Sequence, residues 1–532
     1  MMRTLLFWIS VTVISARAAG QTTPPAGTPA ATRGAKAATK TATTGAATPA
    51  ATKTAPAAAA AKTAPTAGGA TAKPAQAPAK PSPLGARLAQ ALKALRADPQ
   101  MTHAIYGFYI KDSATGKAIW DENSQTGLAP ASCQKVIVST ASLELLGEDF
   151  QYQTRIGYDG SIQNGVLRGN LYIIASGDPS LGSWRYAGSR PEEVMEAIHS
   201  ILQASGITRI EGNLLLDDHT FPLQPVPRGW VWEDLGNYYG AGAQGLNWHE
   251  NQYDLDLEPG DRVGDSVRIV AQRPALEGDT LLNELTTGPK GSGDQSNIYW
   301  APLTKLGYVN GSIPADGKNI TIAGSIPDPG RLFINALAEN LKTWNIALDG
   351  SVQNSLDYTR AHRAFPVFAT VMGSLPSPSL DSLVYWFLKK SINLYGEALA
   401  RTLALQKTGT AATDTGVSVI RDFWIKRGVE RTAFHIQDGS GLSPQNRVTA
   451  FGLVQVLEYA RKRPWFRAFY DALPVIDGMT MKSGSIGGAR AYAGYVGGKD
   501  GRKYTFAFII NNYDGNGTEI QHKMWKILDE LK

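Results

Sequence analysis

Between residues 19 and 83 the chain carries almost nothing but Ala, Thr, Pro, Gly and Lys, with no aromatic or large aliphatic side chain and no Asp or Glu. Such a segment has nothing to bury, and its prolines interrupt any alanine helix, so it is expected to be disordered, an extended cationic spacer. Whatever folds must therefore begin near residue 84. The division also relocates the charge. The whole chain is formally +6, but nine of its 52 basic residues precede residue 84, which leaves 43 against 46 acidic ones, a net of −3. A mildly acidic folded part gives no support to nucleic-acid binding; the basic tail is left with a weak electrostatic contact to wall or membrane at most. Ahead of the tail, Arg3, the apolar stretch Leu5–Ile14 and Ala16-Arg17-Ala18 form the pattern of a secretory signal over residues 1–18. An exported, periplasmic or wall-associated protein is expected, with no transmembrane segment once the signal is cleaved. No run of 18 apolar residues occurs anywhere, which excludes a polytopic membrane protein. The single cysteine, Cys133, excludes an internal disulfide framework and any Cys-based zinc site.

The remaining 449 residues exceed one ordinary domain. Leu84–Leu95 has helical spacing, and Ile105–Ile110 and Lys117–Trp120 alternate as two strands around Asp-Ser-Ala-Thr-Gly. A helix is predicted from Ser132 to Leu145, stopped by Gly147. From 151 to 362 short alternating segments (such as Asn170–Ser176, Arg209–Asp217 and Asp254–Leu257) are split by Gly, Pro, Asn and Asp. They predict a β-rich insert of one or two lobes within a domain made of residues 84–150 and 363–532. Helical patterns return at Leu380–Lys390, Leu394–Leu405, Val417–Lys426 and Ala450–Lys462. Strands at Met479–Lys482, Ala491–Val496 and Tyr504–Asn511 and a helix at Glu519–Leu531 follow.

Three short motifs carry chemistry. Ser132-Cys133-Gln134-Lys135 opens a predicted helix, where a three-residue offset puts Ser132 and Lys135 on one side. A serine hydroxyl becomes a nucleophile when a base takes its proton, and a desolvated neutral lysine is such a base. Ser391-Ile392-Asn393 lies between two predicted helices, where a hydroxyl and an amide relay a proton and hold a carbonyl. Lys482-Ser483-Gly484-Ser485 lies on a predicted strand: Lys482 attracts a carboxylate, Ser483 hydrogen-bonds it, and Gly484 admits a close ligand. The backbone N–H groups of Ser132 and Ser485 are the candidate oxyanion hole. Lys407-Thr408-Gly409 matches the third motif more literally, but it ends a helix and opens a loop, where Lys and then Gly are ordinary stop signals.

Serine-x-x-lysine, serine-x-asparagine and lysine-serine-glycine in this order resemble the penicillin-recognising serine acyl-enzymes. The stretches Pro130–Val136, Lys389–Tyr395, Asp438–Ser443 and Gly177–Leu181 narrow the resemblance to the class C penicillin-binding proteins, the D-alanyl-D-alanine carboxypeptidase/endopeptidase family. The 259-position step from Ser132 to Ser391 matches a family that inserts extra domains there. The resemblance implies an α+β fold: a transpeptidase/β-lactamase-like domain, an antiparallel sheet flanked by helices, with a large β-rich insert. It implies Ser132 as nucleophile, Lys135 as base, Ser391 and Asn393 as relay and amide contact, and Lys482, Ser483 and Gly484 as the grip on the terminal carboxylate of D-Ala-D-Ala. It further implies peptidoglycan stem peptides as substrate, β-lactams as inhibitors and no cofactor or metal. Pro444 departs from the arginine that many relatives carry near the substrate's diamino-acid side chain. The alternatives are a β-lactamase, for which no added deacylating base is evident, and a wall-binding scaffold with an idle site.

Overall fold

The computed structural model describes residues 82–318, 320–368 and 370–532. The expected signal, and the spacer up to Pro81, lie outside the described residues. Folding starts where large apolar residues start. The helix Pro83–Arg96 is capped by the Ser82 hydroxyl, which accepts from Gly85 N at 3.1 Å, and buries Leu88, Leu92 and Leu95. The expected hairpin forms from Ile105–Asp112 and Ala118–Glu122. Its turn is set by the Asp112 carboxylate, which accepts from the amides of Ala114 and Thr115, and by Gly116 at φ +73°.

That hairpin is one edge of a six-stranded antiparallel sheet. Lys503–Asn511 pairs with Ile105–Asp112, then come Ala489–Gly497, Met479–Ile486 and the short Val475–Ile476. Alternation sorts the side chains onto two faces. Tyr504, Phe506, Phe508 and Ile510 pack with the first helix and with Gly517–Leu528. Ala491, Ala493, Ala507 and Ile509 face the other way, into a larger core built by the helices Lys135–Leu146, Leu380–Lys389, Asn393–Thr408, Thr413–Ile425 and Ala450–Ala460. Alanines on that face let the helices approach the sheet closely.

The insert departs in part from a mostly β reading. Its first lobe holds a five-stranded sheet in which Val352–Asn354, Leu214–Asp217 and Leu171–Ile174 run parallel. Parallel neighbours need long crossovers, and the helices Pro191–Ala204 and Pro329–Thr343 lie in those connections and pack on the sheet through Val194, Ile198, Leu202, Phe333, Leu337 and Leu341. Both helices open on proline and carry apolar residues at helical spacing. The sheet also extends past the expected boundary at 362, because Thr370–Pro376 pairs antiparallel with Gln153–Tyr158. The second lobe is β throughout its core: Gln252–Glu258 lies between Arg268–Arg273 and Ile320–Ser325, Leu306–Pro314 lies between Thr280–Gly288 and Asn297–Tyr299, and both sheets bury one cluster that includes Tyr253, Leu255, Trp300 and Val309. No helix among the described residues is long and apolar enough to cross a membrane.

Candidate active site

Ser132 stands on a 3₁₀ turn, Ala131–Gln134, that runs directly into the helix Lys135–Leu146. Two glycines make room for this turn. A Cβ on Gly441 would lie 2.0 Å from the Ala131 carbonyl oxygen, and one on Gly484 would lie 2.3 Å from that of Pro130. The bare side of Gly484 admits the backbone that carries Ser132. Ala131 itself is held at φ +46°. Cys133 is buried behind the turn, and its thiol donates to the Lys482 carbonyl at 3.2 Å; burial pushes that thiol up to about 12.

Lys135 is fully buried, and its Nζ reaches three oxygens: Ser132 Oγ at 2.9 Å, Asn393 Oδ1 at 2.6 Å and the Ser440 carbonyl at 2.7 Å. Burial drives its pKa well below the ordinary lysine value, and the neighbouring charge of Lys482 pushes the same way against the opposing pull of Asp438 and Glu397. A neutral amine has two N–H donors and one lone pair. Carbonyl oxygens accept only, so the Asn393 and Ser440 oxygens take the two donors and the lone pair is left for the Ser132 hydroxyl proton. That hydrogen-bond arrangement is the one a general base for Ser132 requires.

Asn393 opens the helix Asn393–Thr408, and its amide is fixed at both ends, since Nδ2 donates to the Tyr239 carbonyl at 2.8 Å. Ser391 sits just before it at φ +60°, half-buried, without a hydrogen bond to Ser132, Lys135 or Lys482. Lys482 is buried on Met479–Ile486, on the sheet face turned to the helices; burial brings it down to about 8, and its Nζ donates to the Ser483 carbonyl at 2.7 Å. Alternation puts Ser483, half-buried, and Ser485, exposed, on the opposite side of that strand. Ser132, Lys135 and Asn393 are thus joined through the Lys135 amine, Lys482 lies within electrostatic reach of Lys135, and Ser391 makes no hydrogen bond to any of them. Lys407 is exposed in the last turn of its helix, which Gly409 ends at φ +75°.

Sequence reasoning singled out Asp438–Ser443 without giving it a task. Asp438 is a buried hub: its side chain accepts from Gln134 Nε2, Trp230 Nε1, Asn446 Nδ2 and the amides of Gly441 and Ser443, at 2.7–2.9 Å. This shapes the loop that offers the Ser440 carbonyl to Lys135. Glu397, one helical turn after Asn393, accepts from Gly439 N at 3.0 and 3.1 Å, and burial together with Asp438 raises its carboxyl to about 8. A lone glutamate in an apolar helix was a signal that could have found it. Nothing in the sequence points to Tyr239, which contributes a backbone oxygen. Arg447 turns back on its own loop, donating to the carbonyls of Pro444 and Asn446.

A buried lysine amine 2.9 Å from a serine hydroxyl, between a five-helix core and an antiparallel sheet, fits a penicillin-recognising serine peptidase. The fold agrees with the solved structure of penicillin binding protein 4 (dacB) from Haemophilus influenzae, at a TM-score of 0.71 and 22% identity, covering 84% of this chain and 99% of that one. The same protein complexed with a β-lactam gives a TM-score of 0.65 over the same shares. Residues 88–531 match the model of the D-Ala-D-Ala carboxypeptidase 3 (S13) family. The chain belongs to that family, a serine carboxypeptidase among the penicillin-binding proteins, as the motif resemblance implied. Among curated relatives, the D-alanyl-D-alanine carboxypeptidase of Actinomadura sp. is 27% identical over 481 residues, which is 82% of this chain and 84% of the relative. The D-alanyl-D-alanine carboxypeptidase DacB of Haemophilus influenzae is 25% identical over 443 residues, 78% of this chain and 87% of the relative.

Proposed function

We propose that this chain hydrolyses peptidoglycan stem peptides ending in D-Ala-D-Ala, and the corresponding cross-links, through an acyl-enzyme on Ser132. The observation that carries this reading is the 2.9 Å approach of the buried Lys135 amine to Ser132 Oγ, with the other two contacts of that amine occupied by acceptors. Lys135 takes the hydroxyl proton as Oγ adds to the penultimate D-Ala carbonyl, and the backbone N–H groups of Ser132 and Ser485 receive the developing oxyanion. Collapse expels D-alanine, whose amine recovers a proton from Lys135. Water then attacks the ester by the same proton path and frees the shortened peptide. Lys482 attracts the terminal carboxylate by its charge. A β-lactam offers the same carboxylate and a strained amide whose amine stays tethered after opening, so its acyl-enzyme hydrolyses slowly. We further infer that the protein works outside the cytoplasm, following its signal-like first 18 residues, with the basic spacer lending weak attraction to an anionic wall or membrane face.

The test is the intact mass of the protein after brief exposure to benzylpenicillin, beside Ser132→Ala. A penicilloyl adduct on the wild type alone is the expected result. No adduct, with the penicillin unhydrolysed, would overturn the reading in favour of an idle, wall-binding site. Rapid turnover of the penicillin would make the protein a β-lactamase.

A further inference from the structure

The NH₂ end of the Asn393 amide is held by the insert and not by the domain that carries the motifs. Its Nδ2 donates to the carbonyl of Tyr239, in the 3₁₀ turn Tyr238–Gly240. With the NH₂ end committed there, the Oδ1 end must face Lys135 Nζ. The turn is rooted in the second lobe, where the Asn237 amide bonds Asn297 Oδ1 and Ser325 N donates to the Gly236 carbonyl. One residue pair further along the same helix, the Tyr395 hydroxyl, fully buried, donates to Glu250 Oε1 at 2.8 Å. Glu250 is buried too and also accepts from Ser183 Oγ and from Arg185 Nε, all within the insert. It reaches this place from a run of three left-handed residues, His249, Glu250 and Asn251, at φ between 53° and 55°. Non-glycine residues adopt that conformation only where surrounding structure imposes it, and here the run is tied down by Asn251 Nδ2 bonds to Gly242 O and Asn247 Oδ1.

We propose that the insert is a working part of the catalytic site: the Tyr239 carbonyl sets the orientation of the Asn393 amide, and the Glu250–Tyr395 bond holds the helix turn that presents it, making Glu250 and Tyr395 positioning residues for acylation. The helix start is fixed from the insert at two points two residues apart. A loss of either lets the amide rotate or the turn shift, and Lys135 then loses an acceptor that keeps its lone pair aimed at Ser132. Small displacements of a positioned group are enough to cost a hundredfold in rate.

The proposal rests on the serine-peptidase reading, and its test separates the two. Benzylpenicillin acylation is followed by stopped flow, resolving the initial dissociation constant from the acylation rate. The proteins are wild type, Tyr395→Phe, Glu250→Ala, Glu250→Gln and Gly240→Ala, whose new Cβ would meet the Asp234 carbonyl at 1.9 Å and so displace the Tyr239 turn. The acylation rate is expected to fall on the order of 10- to 100-fold in Tyr395→Phe, Glu250→Ala and Gly240→Ala with the dissociation constant little changed, and to be largely restored in Glu250→Gln, which keeps an acceptor for Tyr395. In parallel, exchange of the Asn393 side-chain amide protons, observed by NMR with ¹⁵N-labelled asparagine, is expected to quicken in the first three. An acylated wild type with unchanged rates and unchanged exchange in the variants overturns the proposal and leaves the peptidase reading standing. A wild type that is not acylated overturns the peptidase reading, and amide exchange alone then decides whether the insert positions Asn393.

Discussion

At the scale of single residues the site turns on two buried lysines and the buried Glu397, whose protonation burial shifts. Lys135 is held well below the ordinary lysine value. Its neutral form is the base, so acylation falls as the pH drops through that lowered pKa, giving the acid limb of the profile. Lys482, brought down to about 8, must be charged to attract a carboxylate, so an alkaline limb is expected near 8. Lys482→Arg keeps the charge at every accessible pH and should remove that limb in the pH dependence of penicillin acylation. Glu397 also titrates near 8, and Glu397→Gln should leave the limb in place. Its mark falls on stability instead. The folded carboxyl binds a proton that the unfolded chain, at about 4.5, has lost, so its contribution is full below that pH and is lost as the pH rises through about 8. Thermal unfolding from pH 5 to 8 should therefore show the wild type losing more stability than Glu397→Gln.

Between elements, the 3₁₀ turn of Ser132 is clasped by two backbones that approach too closely for any side chain. Gly441 faces the Ala131 carbonyl and Gly484 faces that of Pro130. Gly441→Ala must displace the turn and also adopts φ +87° with a Cβ present, so loss of acylation by more than about a hundredfold and a marked fall in Tm are expected. Gly409→Ala is the contrasting case. It shares the left-handed conformation, at φ +75°, but its Cβ would meet nothing within 4 Å. Chemical denaturation should show a cost of about 1 kcal/mol, with penicillin acylation unchanged. Unchanged acylation in Gly441→Ala would mean that the turn is not set by these contacts.

For the whole molecule, the inserted lobes and the helices of the catalytic core share buried polar contacts: Asn393 with Tyr239, Tyr395 with Glu250, and Asp438 with Trp230. Polar pairs buried at a junction are costly to leave unmade, so core and insert are expected to unfold together. Calorimetry on wild type and Ser132→Ala should show this junction as one transition, raised by benzylpenicillin in the wild type alone. The basic spacer 19–83 is proposed to act only as a cationic tether. Its removal should leave acylation intact while abolishing any retention on isolated anionic wall that salt above about 0.15 M already screens away.

The chemistry was legible in the sequence because it is local. A serine and a lysine three residues apart at a helix start face one side wherever the helix sits, and the strand around Lys482 is marked by alternation. The paired strands and the helices of the catalytic domain were equally legible, since their faces are written in periods of two and 3.6. The helices Pro191–Ala204 and Pro329–Thr343 are weakly marked among many short segments, although both open on proline. Only the tertiary structure decided that Gly484 admits the Ser132 turn, that Glu397 and Asp438 hold the loop of Ser440, and that the insert grips Asn393. The reason is physical. Those decisions are made by backbone carbonyls and by absent Cβ atoms, meeting across 154 residues in the case of Tyr239 and Asn393; a peptide oxygen is the same in every residue, so no side chain records which one is used.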